Sequence, residues 1–460
     1  MPFVVGVIVN NWRAIILAAG RGTRMKSSIP KVLQRICGRE MIGFVADAIH
    51  DAGLNDLIVV VPPDSPEIQS AIWHNIVTVE QPEPLGTADA LSTAQSLLED
   101  YEGNVLVING DVPLVTSNTL TALTSHHSSS QSCMTILTSV GFPFDDIGRV
   151  IRDDNGNVSA IIEAAELDTK SASVSEGNVG VYCFQSPWLW NTLKKLNPSS
   201  SGEVYLTDIV TTSVMQGDKV ESLLLEDGRE GFGVNDGIQL ANAREIIQRR
   251  INNRWLLSGV NIMEPSFIDA TVKLEPDTTI YPNTFLRGKT IIGKRCEIGP
   301  NSTIVDSFIA DDCRVFQSVV EEAALDEKVE IGPYSHIRPN SHIESDVHIG
   351  NFAEVKNSKI GKGTKVGHFS YIGDAYLGPN VNIGAGVVTC NFDGLDKHET
   401  IIGEGAFIGS DSMLIAPVRI GPHASTGAGS VVTRNVPAGT QVVGMPAKTS
   451  TGTKAPRRQE

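Results

Sequence analysis

The clearest fold signal in the C-terminal half is EIGPYSHIRPNSHIESDVHIG, residues 330–350. An aliphatic residue recurs in it every six positions, at Ile331, Ile337, Ile343 and Ile349. A fixed six-residue period is typical of a parallel β-helix, in which each hexapeptide supplies one short strand and turn and the aliphatic side chain fills the interior. The stretch therefore predicts an all-β solenoid.

The same period continues on both sides of this stretch. Helix signals disappear after about Glu264, and Val355 extends the first series. Separate runs with the same six-residue spacing are Ile292, Ile298 and Ile304; Val366 and Ile372; and Ile402, Ile408, Leu414, Ile420, Thr426 and Val432. We predict a β-helix over residues 259–447, followed by a C-terminal tail over residues 448–460. The period fails between Thr389 and Ile401, so Cys390 to Thr400 must leave the coil as a loop. Such insertions often lie on a binding face, and a tolerated surface loop is the alternative.

The N-terminal half has a different pattern. Over residues 13–235, short apolar runs such as 14–17, 57–61 and 105–108 alternate with helical patterns, which predicts buried parallel strands with crossover helices. The pattern of residues 236–258 predicts a connecting helix. Residues 1–12 are expected to be a variable leader, because the apolar run from Phe3 to Val9 is too short for a membrane helix and lacks signal-peptide features.

Composition excludes several classes of function. The chain has 460 residues, enough for two or three domains, with 41% hydrophobic and 20% charged residues. A net charge of -16 opposes broad attraction to nucleic acid or anionic lipid, so neither a nucleic-acid partner nor a membrane is expected. The six cysteines are scattered without a CxxC pair, which favours reduced thiols in a cytoplasmic protein.

A glycine-containing segment follows the first predicted strand. It runs Leu17-Ala18-Ala19-Gly20-Arg21-Gly22-Thr23-Arg24-Met25, and Lys31 follows shortly after. Glycines let backbone N–H groups approach phosphates, and Arg24 and Lys31 can neutralise them. The segment is neither a dinucleotide fingerprint nor a Walker loop, because the third glycine and the Gly-Lys-Ser/Thr sequence are absent.

This string resembles the signature of sugar-phosphate nucleotidyltransferases. Further motifs in the same order are Gln81, Gly86-Thr87, Asn109-Gly110-Asp111, Gly148-Arg149, Glu163, Asn178 and Gly233-Val234-Asn235. Together they resemble the bifunctional N-acetylglucosamine-1-phosphate uridyltransferase / glucosamine-1-phosphate N-acetyltransferase family, from about Arg13 to Ala447. The resemblance implies an α/β plus all-β chain: a Rossmann-like nucleotidyltransferase domain, a connecting helix and a left-handed parallel β-helix of hexapeptide repeats.

The resemblance also implies a uridyltransferase site. UTP and the UDP-sugar would contact Leu17, Ala18, Ala19, Gly20, Lys31, Gln81, Gly86, Thr87, Gly148, Glu163, Asn178 and Asn235. Asp111 and Asn235 would bind Mg²⁺, which prefers hard oxygen ligands and takes only one or two from protein. A helix N-cap is the alternative role for Asp111. The sugar-1-phosphate would attack the α-phosphorus of UTP, with Arg24 and Lys31 stabilising charge and no general base needed.

By the same resemblance, the β-helix is an acetyltransferase. His368 aligns with the general base, and Glu354 is expected to orient it; an imidazole that titrates near pH ~6.5 suits this task. The glucosamine phosphate would contact Arg338, Lys356, Tyr371, Asn382 and Lys397. Acetyl-CoA would contact Ala385, Asn391, Phe392, Ser410 and Ala428. Taken singly, such cations are more often solvated surface charges, and we expect His336, His342 and His348 to be structural.

Two other interpretations remain at this point. The β-helix could be the regulatory part of a single-activity nucleotidyltransferase, or an assembly scaffold. The resemblance implies acetylation of glucosamine-1-phosphate with acetyl-CoA, then uridylyl transfer from UTP to N-acetylglucosamine-1-phosphate, as a step toward bacterial cell-wall glycans. It also implies a cytoplasmic homotrimer with only small-molecule substrates as partners.

Overall fold

The computed structural model describes residues 11–141, 147–199 and 202–449. Most of the expected leader, residues 1–10, and most of the expected tail, residues 450–460, lie outside the described residues. The chain divides into two compact units, Met1–Ile247 and Gln248–Glu460. Each unit has its own sheet architecture, so each is described separately.

The first unit is built on a twisted central sheet in the order β11-β7-β10-β6-β1-β4-β5, with β8 and β9 attached to β10. Its strands are β1 (Trp12–Leu17), β2 (Arg35–Ile36), β3 (Arg39–Glu40), β4 (Leu57–Val61), β5 (Ile76–Glu80), β6 (Asn104–Asn109), β7 (Met134–Val140), β8 (Arg149–Arg152), β9 (Val158–Ile162), β10 (Glu176–Gln185) and β11 (Val220–Leu224). The three apolar runs singled out in the sequence form β1, β4 and β6, which are mutually parallel, as predicted.

Helices cover both faces of this sheet. They are α1 (Met41–Asp51), α2 (Pro66–Ser70), α3 (Thr87–Thr93), α4 (Ser117–Ser130), α5 (Ser186–Leu193) and α6 (Asp208–Gln216), with 3-10 turns at Thr23–Met25, Lys31–Leu33, Gln95–Leu97, Ala164–Glu166, Ser171–Ser173 and Gly228–Gly231. Successive strand residues point to opposite faces. Ile16 therefore packs in one core cluster, with Ile42 and Leu120, while Ile15 packs in the other, with Leu91.

The part of the sheet formed by β8, β9 and β10 departs from the predicted parallel arrangement. β10 runs antiparallel to both β6 and β7. A parallel pair needs a long crossover connection, usually a helix, and none separates β7 from β10 in the described residues. The chain instead returns through the β8–β9 hairpin, which reverses its direction.

A long helix, α7 (Gly237–Leu257), lies in the segment for which the sequence predicts a connecting helix. The division between the two units, after Ile247, falls within this helix. Its first turn is capped by Asp236, whose carboxylate accepts hydrogen bonds from the backbone N–H groups of Ile238 and Gln239 at 2.9 and 2.8 Å. Such a cap satisfies N–H groups that have no partner within the helix.

The second unit is a left-handed parallel β-helix with three faces, here named A, B and C. Face A contains β12 (Asn261–Ile262), β15 (Thr279–Ile280), β18 (Glu297–Ile298), β21 (Arg314–Val315), β24 (Glu330–Ile331), β27 (His348–Ile349), β30 (Lys365–Val366), β33 (Asn382–Ile383), β36 (Phe407–Ile408), β39 (Ser425–Thr426) and β41 (Gln441–Val443). Face B contains β13 (Ser266–Ile268), β16 (Thr284–Arg287), β19 (Thr303–Val305), β22 (Val319–Glu321), β25 (His336–Ile337), β28 (Ala353–Lys356), β31 (Ser370–Gly373), β34 (Val388–Cys390), β37 (Met413–Ile415) and β40 (Val431–Val432). Face C contains β14 (Lys273–Leu274), β17 (Ile291–Ile292), β20 (Phe308–Ile309), β23 (Ala324–Leu325), β26 (His342–Ile343), β29 (Lys359–Ile360), β32 (Ala375–Leu377), β35 (Thr400–Ile402) and β38 (Val418–Ile420).

The six-residue period is the interior of this coil. Ile331, Ile337, Ile343 and Ile349 are each no more than 2% exposed, and the same holds for the later series from Ile402 to Val432. Burying one such side chain stabilises the fold by roughly 1.5–3 kcal/mol. Lys448 and Thr449, the start of the expected tail, form β42, which pairs antiparallel with β41. Within the described part of the chain, no helix has the length and apolarity required to cross a bilayer.

Candidate functional site

A cleft of about 490 Å³ opens at the carboxyl ends of β1 and β6. This is the point where the strand order reverses, since β1 lies between β4 on one side and β6 on the other, and ligands of open α/β sheets bind at such points. Its lining includes Leu17, Ala18, Ala19, Gly20, Arg21, Lys31, Gln81, Gly86, Thr87, Asn109, Asp111, Glu203 and Tyr205. Nine of the residues predicted for nucleotide or metal binding are therefore brought together in one cleft.

The charged centre of the cleft is a contact between Lys31 and two oxygen-bearing side chains. Its ammonium donates to Asp111 Oδ2 at 2.5 Å and to Asn235 Oδ1 at 3.1 Å. The N-cap alternative for Asp111 is wrong, because α4 is capped instead by Thr116, whose hydroxyl accepts from the N–H of Thr119. Asp111 and Asn235, the two side chains expected to bind metal, thus lie close enough together for both to contact one cation, here the Lys31 ammonium.

This donor set suits Mg²⁺ better than a transition metal. Among the described residues, no group of three or more His, Cys, Asp or Glu side chains is arranged to hold a metal ion. Asp111 and Asn235 offer one carboxylate and one amide oxygen, and Mg²⁺ usually takes only one or two protein ligands and completes its shell with phosphates and water. The residues present fit a magnesium ion that arrives with a nucleotide.

The glycine-containing segment 17–25, called the phosphate loop here because the sequence predicts that it contacts phosphates, packs directly on Lys31. Gly22 has a φ of +58°, and a Cβ there would lie 2.6 Å from Lys31 Cβ, so both the backbone conformation and the space require glycine. Arg24 lies in the exposed 3-10 turn Thr23–Met25 and is not among the residues that line the cleft. The structure therefore brings Lys31, but not Arg24, to the cleft wall.

At another part of the cleft wall, residues 86–88 are hydrogen-bonded to residues 204–206. Gly86 has a φ of +116°, and a Cβ there would lie 2.4 Å from the carbonyl oxygen of Val204. The N–H of Ala88 donates to that carbonyl at 3.0 Å, and the N–H of Leu206 donates to Thr87 Oγ1 at 2.9 Å. This pairing brings Glu203 and Tyr205 into the cleft. Sequence reasoning missed these two residues because they lie in the irregular connection between α5 and α6, outside any of the motifs.

The three residues predicted to hold the sugar form a second group. The N–H of Asn178 donates to the carbonyl of Gly148 at 2.9 Å, and Gly148 is next to Glu163 across the β8–β9 hairpin. Glu163 accepts a hydrogen bond from the Thr207 hydroxyl at 2.6 Å. Burial raises the pKa of Glu163, and the Thr207 hydrogen bond opposes that shift. The amide of Asn178 donates to the buried hydroxyl of Tyr182 at 2.7 Å.

In the β-helix, four predicted residues occupy the same position in successive coils. His368, Ala385, Ser410 and Ala428 lie at the turn from face A to face B, which we call the AB corner. Backbone hydrogen bonds fix this register: Gly386 N to Phe369 O, Asp411 N to Ala385 O, and Gly429 N to Ser410 O. Coils are about 4.8 Å apart, so the row extends over roughly 15 Å. The expected general base and the expected acetyl-CoA contacts thus form one line.

The expected phosphate contacts lie on face B. Arg338 and Lys356 occupy equivalent positions in adjacent coils, and Gly373 occupies the next. A Cβ at Gly373 would lie 2.4 Å from the Tyr371 hydroxyl, so glycine leaves room for that ring. The carboxylate of Glu354 accepts from Arg338 Nη1 at 2.6 Å. The expected orienting contact between Glu354 and His368 is absent from the described chain, where Glu354 is paired with Arg338 instead.

The loop that interrupts the period lies beside this face. Asn391 donates to the carboxylate of Asp374 and contacts the Tyr371 hydroxyl at 3.4 Å. Lys397 approaches Lys356 closely, and this second positive charge lowers the pKa of Lys397. Phe392 is 60% exposed on the loop. Asn382 lies elsewhere, on face A in β33.

The expected structural histidines are all paired with acids of the preceding coil. His336, His342 and His348 contact Glu321, Asp326 and Glu330, one on each face, at 2.9–3.0 Å. These contacts agree with the expectation for the three residues. His368 differs from them, because it is exposed and makes no such contact with the described residues.

The fold and cleft define a nucleotidyltransferase domain joined to a hexapeptide β-helix. Residues 14–153 match the family model described as a MobA-like NTP transferase domain, and residues 319–427 match the one described as a GMPPB C-terminal domain. Both halves of the chain therefore have recognised counterparts.

Full-length relatives then give the family. The bifunctional protein GlmU of Caldanaerobacter subterraneus is 43% identical over 432 residues, which is 93% of each chain. Those of Heliobacterium modesticaldum and Pelobacter propionicus are 41% identical and cover 94% and 95% of this chain. The chain belongs to the bifunctional GlmU family. It is a uridyltransferase and a glucosamine-1-phosphate acetyltransferase of UDP-N-acetylglucosamine synthesis, which supplies cell-wall synthesis.

Proposed function

We propose that the cleft of the first unit carries uridylyl transfer and that the AB corner of the second unit carries acetylation. The observation that supports the first assignment most strongly is the Lys31 ammonium bonded to both Asp111 and Asn235 beneath the phosphate loop. The Lys31 ammonium therefore lies where the phosphates of UTP would be bound next to the sugar site. The domain limits we propose are residues 13–235, 236–258 and 259–447.

In the first reaction site, an oxygen of N-acetylglucosamine-1-phosphate attacks the α-phosphorus of UTP, and the bond to pyrophosphate breaks. A phosphate with a second pKa near ~6 is already mostly anionic at neutral pH, so no side chain has to remove a proton. Lys31 aligns and neutralises the phosphates from the cleft wall, and Arg24, which is exposed in the turn Thr23–Met25 and does not line the cleft, is proposed to reach them from outside. Gln81, Gly86 and Thr87 hold the uracil end.

The sugar would lie over Gly148, Glu163 and Asn178. Gly148 and Glu163 lie next to Asn178 of β10, and the Thr207–Glu163 hydrogen bond keeps the carboxylate in one orientation. A carboxylate with a remaining acceptor position can bind a sugar hydroxyl. Asp111 and Asn235 would hold Mg²⁺, which supplies charge neutralisation and alignment of the triphosphate when it is bound.

For acetylation, His368 removes a proton from the amine of glucosamine-1-phosphate as its nitrogen attacks the carbonyl carbon of acetyl-CoA. The C–N bond forms, the C–S bond breaks, and coenzyme A leaves as its thiol after gaining a proton. The row from His368 to Ala428 supports this role, since a pantetheine arm can extend along it with its thioester at the histidine. Ala385, Ser410 and Ala428 would line that arm, together with Asn391 and Phe392 of the loop.

The phosphate of this substrate would be held by cations of face B and the loop. Lys397 lies close to Lys356, and Arg338 is one coil earlier on the same face. Two ammonium groups placed together favour an anion between them. Tyr371 and Asn382 would contact the sugar ring.

We propose a homotrimer. Asn382 lies on face A, whereas Tyr371 and the phosphate contacts lie on face B. A single substrate molecule could contact both sets of residues more easily if it were bound between two copies of the chain. The loop also exposes Phe392 and Leu395, which are 60% and 89% exposed, as expected of a contact surface. Three copies around one axis would form three equivalent sites.

The enzyme is proposed to act in the cytoplasm. All six cysteines lie among the described residues and are free thiols, which suits a reducing compartment. Acetylation is placed first, because its product is the sugar phosphate that uridylyl transfer consumes.

A product assay tests both activities at once. Purified protein is incubated with glucosamine-1-phosphate, acetyl-CoA, UTP and Mg²⁺, and each component is omitted in turn. We expect UDP-N-acetylglucosamine only from the full mixture. Product that requires preformed N-acetylglucosamine-1-phosphate would remove the acetylation proposal and leave uridylyl transfer standing. Size measurement by light scattering tests the trimer.

A further inference from the structure

The side-chain amide of Gln81 has a fixed orientation at the uracil end of the cleft. It is buried, with 5% of its surface exposed. Its nitrogen donates to the carbonyl oxygen of Gly86 at 3.2 Å and to Asp89 Oδ2 at 2.7 Å. A carbonyl and an ionised carboxylate can only accept hydrogen bonds, so the amide nitrogen must face both of them. The carbonyl oxygen Oε1 is left as the polar atom that Gln81 can offer a ligand.

An acceptor at this position distinguishes pyrimidine bases. Uracil carries a hydrogen on N3 and can donate it to an amide oxygen. Cytosine has a lone pair at N3, so its approach would place two acceptors against each other and leave both without a partner. Buried sites that lose a hydrogen bond in this way discriminate strongly between otherwise similar ligands.

We propose that Asp89 is a positioning residue that makes the cleft select uridine over cytidine nucleotides by locking the Gln81 amide. This inference rests on the proposed placement of uracil beside Gln81. Asp89 is the third residue of α3, is half-buried and is not among the residues that line the cleft, so it acts through Gln81. The other acceptor is a backbone carbonyl, held by the pairing of residues 85–88 with residues 204–206.

Removal of the carboxylate leaves one amide hydrogen without a partner and weakens the lock. In Asp89→Ala, the amide can rotate to present its nitrogen to the base, which suits the N3 lone pair of cytosine. The acceptor of Asp89→Asn can still receive the Gln81 hydrogen, so that variant is the conservative rescue. Glu83→Ala is the matched control, because it removes an exposed carboxylate from the same loop.

The experiment measures pyrophosphate release from UTP and from CTP, with N-acetylglucosamine-1-phosphate as acceptor. We expect the ratio of kcat/KM for UTP over CTP to fall about tenfold or more in Asp89→Ala, mainly through KM for UTP. Asp89→Asn should retain most of the preference, and Glu83→Ala all of it. N3-methyl-UTP, which has no N3 hydrogen, should be rejected by the wild type and discriminated less by Asp89→Ala.

An unchanged UTP/CTP ratio in Asp89→Ala overturns the inference, and so does an equal loss on both nucleotides, because a merely structural residue would lower both. These outcomes are distinct from failure of the proposed function, in which the wild-type enzyme itself would release no pyrophosphate from UTP.

Discussion

The side chain of Asn391 donates a hydrogen bond to the carboxylate of Asp374, which precedes it by 17 residues and lies one coil earlier. Asp374 also accepts from the amide of Asn357 at 2.5 Å, and its own carbonyl accepts from the N–H of Thr400 at 3.1 Å. One residue therefore holds both ends of the loop that interrupts the β-helix. Because Asn391 and Lys397 belong to that loop, Asp374 controls where they lie.

Asp374→Ala should impair acetylation without changing uridylyl transfer. Loss of the carboxylate releases Asn391 and Asn357 together, so the loop samples positions in which Lys397 no longer meets Lys356. Misplacement of binding groups by about 1 Å can cost on the order of a hundredfold in rate. We expect KM for glucosamine-1-phosphate to rise and kcat to fall, measured by release of the coenzyme A thiol.

The matched control is Asp396→Asn, which removes an acid at the tip of the same loop. The contacts of Asp396 with Asp393 are made by its backbone, so the loop should keep its shape. Normal acetylation by Asp374→Ala would show that the loop does not depend on this contact.

Asp111→Asn should suppress UDP-sugar formation. The substitution removes the negative charge that holds the Lys31 ammonium at 2.5 Å and the carboxylate proposed for Mg²⁺. Loss of a charge-aligning group at a phosphoryl-transfer site costs roughly a hundredfold or more in rate. Pyrophosphate release is the measurement, and acetylation on the same preparation should be unchanged.

Asp154→Asn provides the comparison, since Asp154 is exposed in the β8–β9 turn. Near-wild-type pyrophosphate release from Asp111→Asn would overturn the assignment of this carboxylate.

The interior of the β-helix could be predicted from the sequence, and its polar contacts could not. The six-residue spacing, seen in the run from Ile331 and again in the run from Ile402, is a local signal, because every sixth residue of a run must fill the same core. The pairing of Glu354 with Arg338 depends on which side chain of the neighbouring coil is nearer, and no period encodes that choice. His368 stays a prediction as the base, and its expected contact with Glu354 is not among the contacts of the described residues, where Glu354 pairs with Arg338.

The first unit has the same division between local and long-range signals. The phosphate loop and Lys31 form one short motif that is visible in the sequence. Asp89 lies in an ordinary helical turn, and its contact with Gln81 appears only when α3 folds beside β5. The reversal of β10 was missed because this strand is buried on both faces, and a strand buried on both faces has the continuous apolar pattern expected of a parallel strand.

His368→Ala should abolish acetylation and spare uridylyl transfer. The exposed imidazole lies at the start of the AB corner row, where a thioester would lie, and general-base catalysis contributes typically 10²–10⁴-fold. The coenzyme A thiol assay should therefore show a loss of about that size, with pyrophosphate release unchanged.

His423→Asn is the matched histidine control. His423 is exposed in a later coil with a φ of +55°, a conformation that asparagine tolerates. It lies at the turn from face C to face A, away from the AB corner. Full acetylation by His368→Ala would end the general-base assignment.

Acid should destabilise the first unit through His127, which is 2% exposed on α4. Its ring accepts or donates one hydrogen bond with Thr135 at 2.8 Å and meets Trp12 edge-on, and burial lowers its pKa to about 4 from the usual 6.5. The unfolded chain therefore binds a proton near pH 6.5, whereas the folded chain resists it until about pH 4. Stability that is fully present above pH 6.5 is lost as the pH falls through this window, by roughly 3 kcal/mol in total.

Urea unfolding of the first unit at pH 7 and pH 4.5, followed by tryptophan fluorescence, measures this loss of unfolding free energy. His127→Leu should be less stable at pH 7 but should lose less free energy of unfolding between the two pH values than the wild type. Equal losses in the two proteins would mean that other groups cause the acid sensitivity.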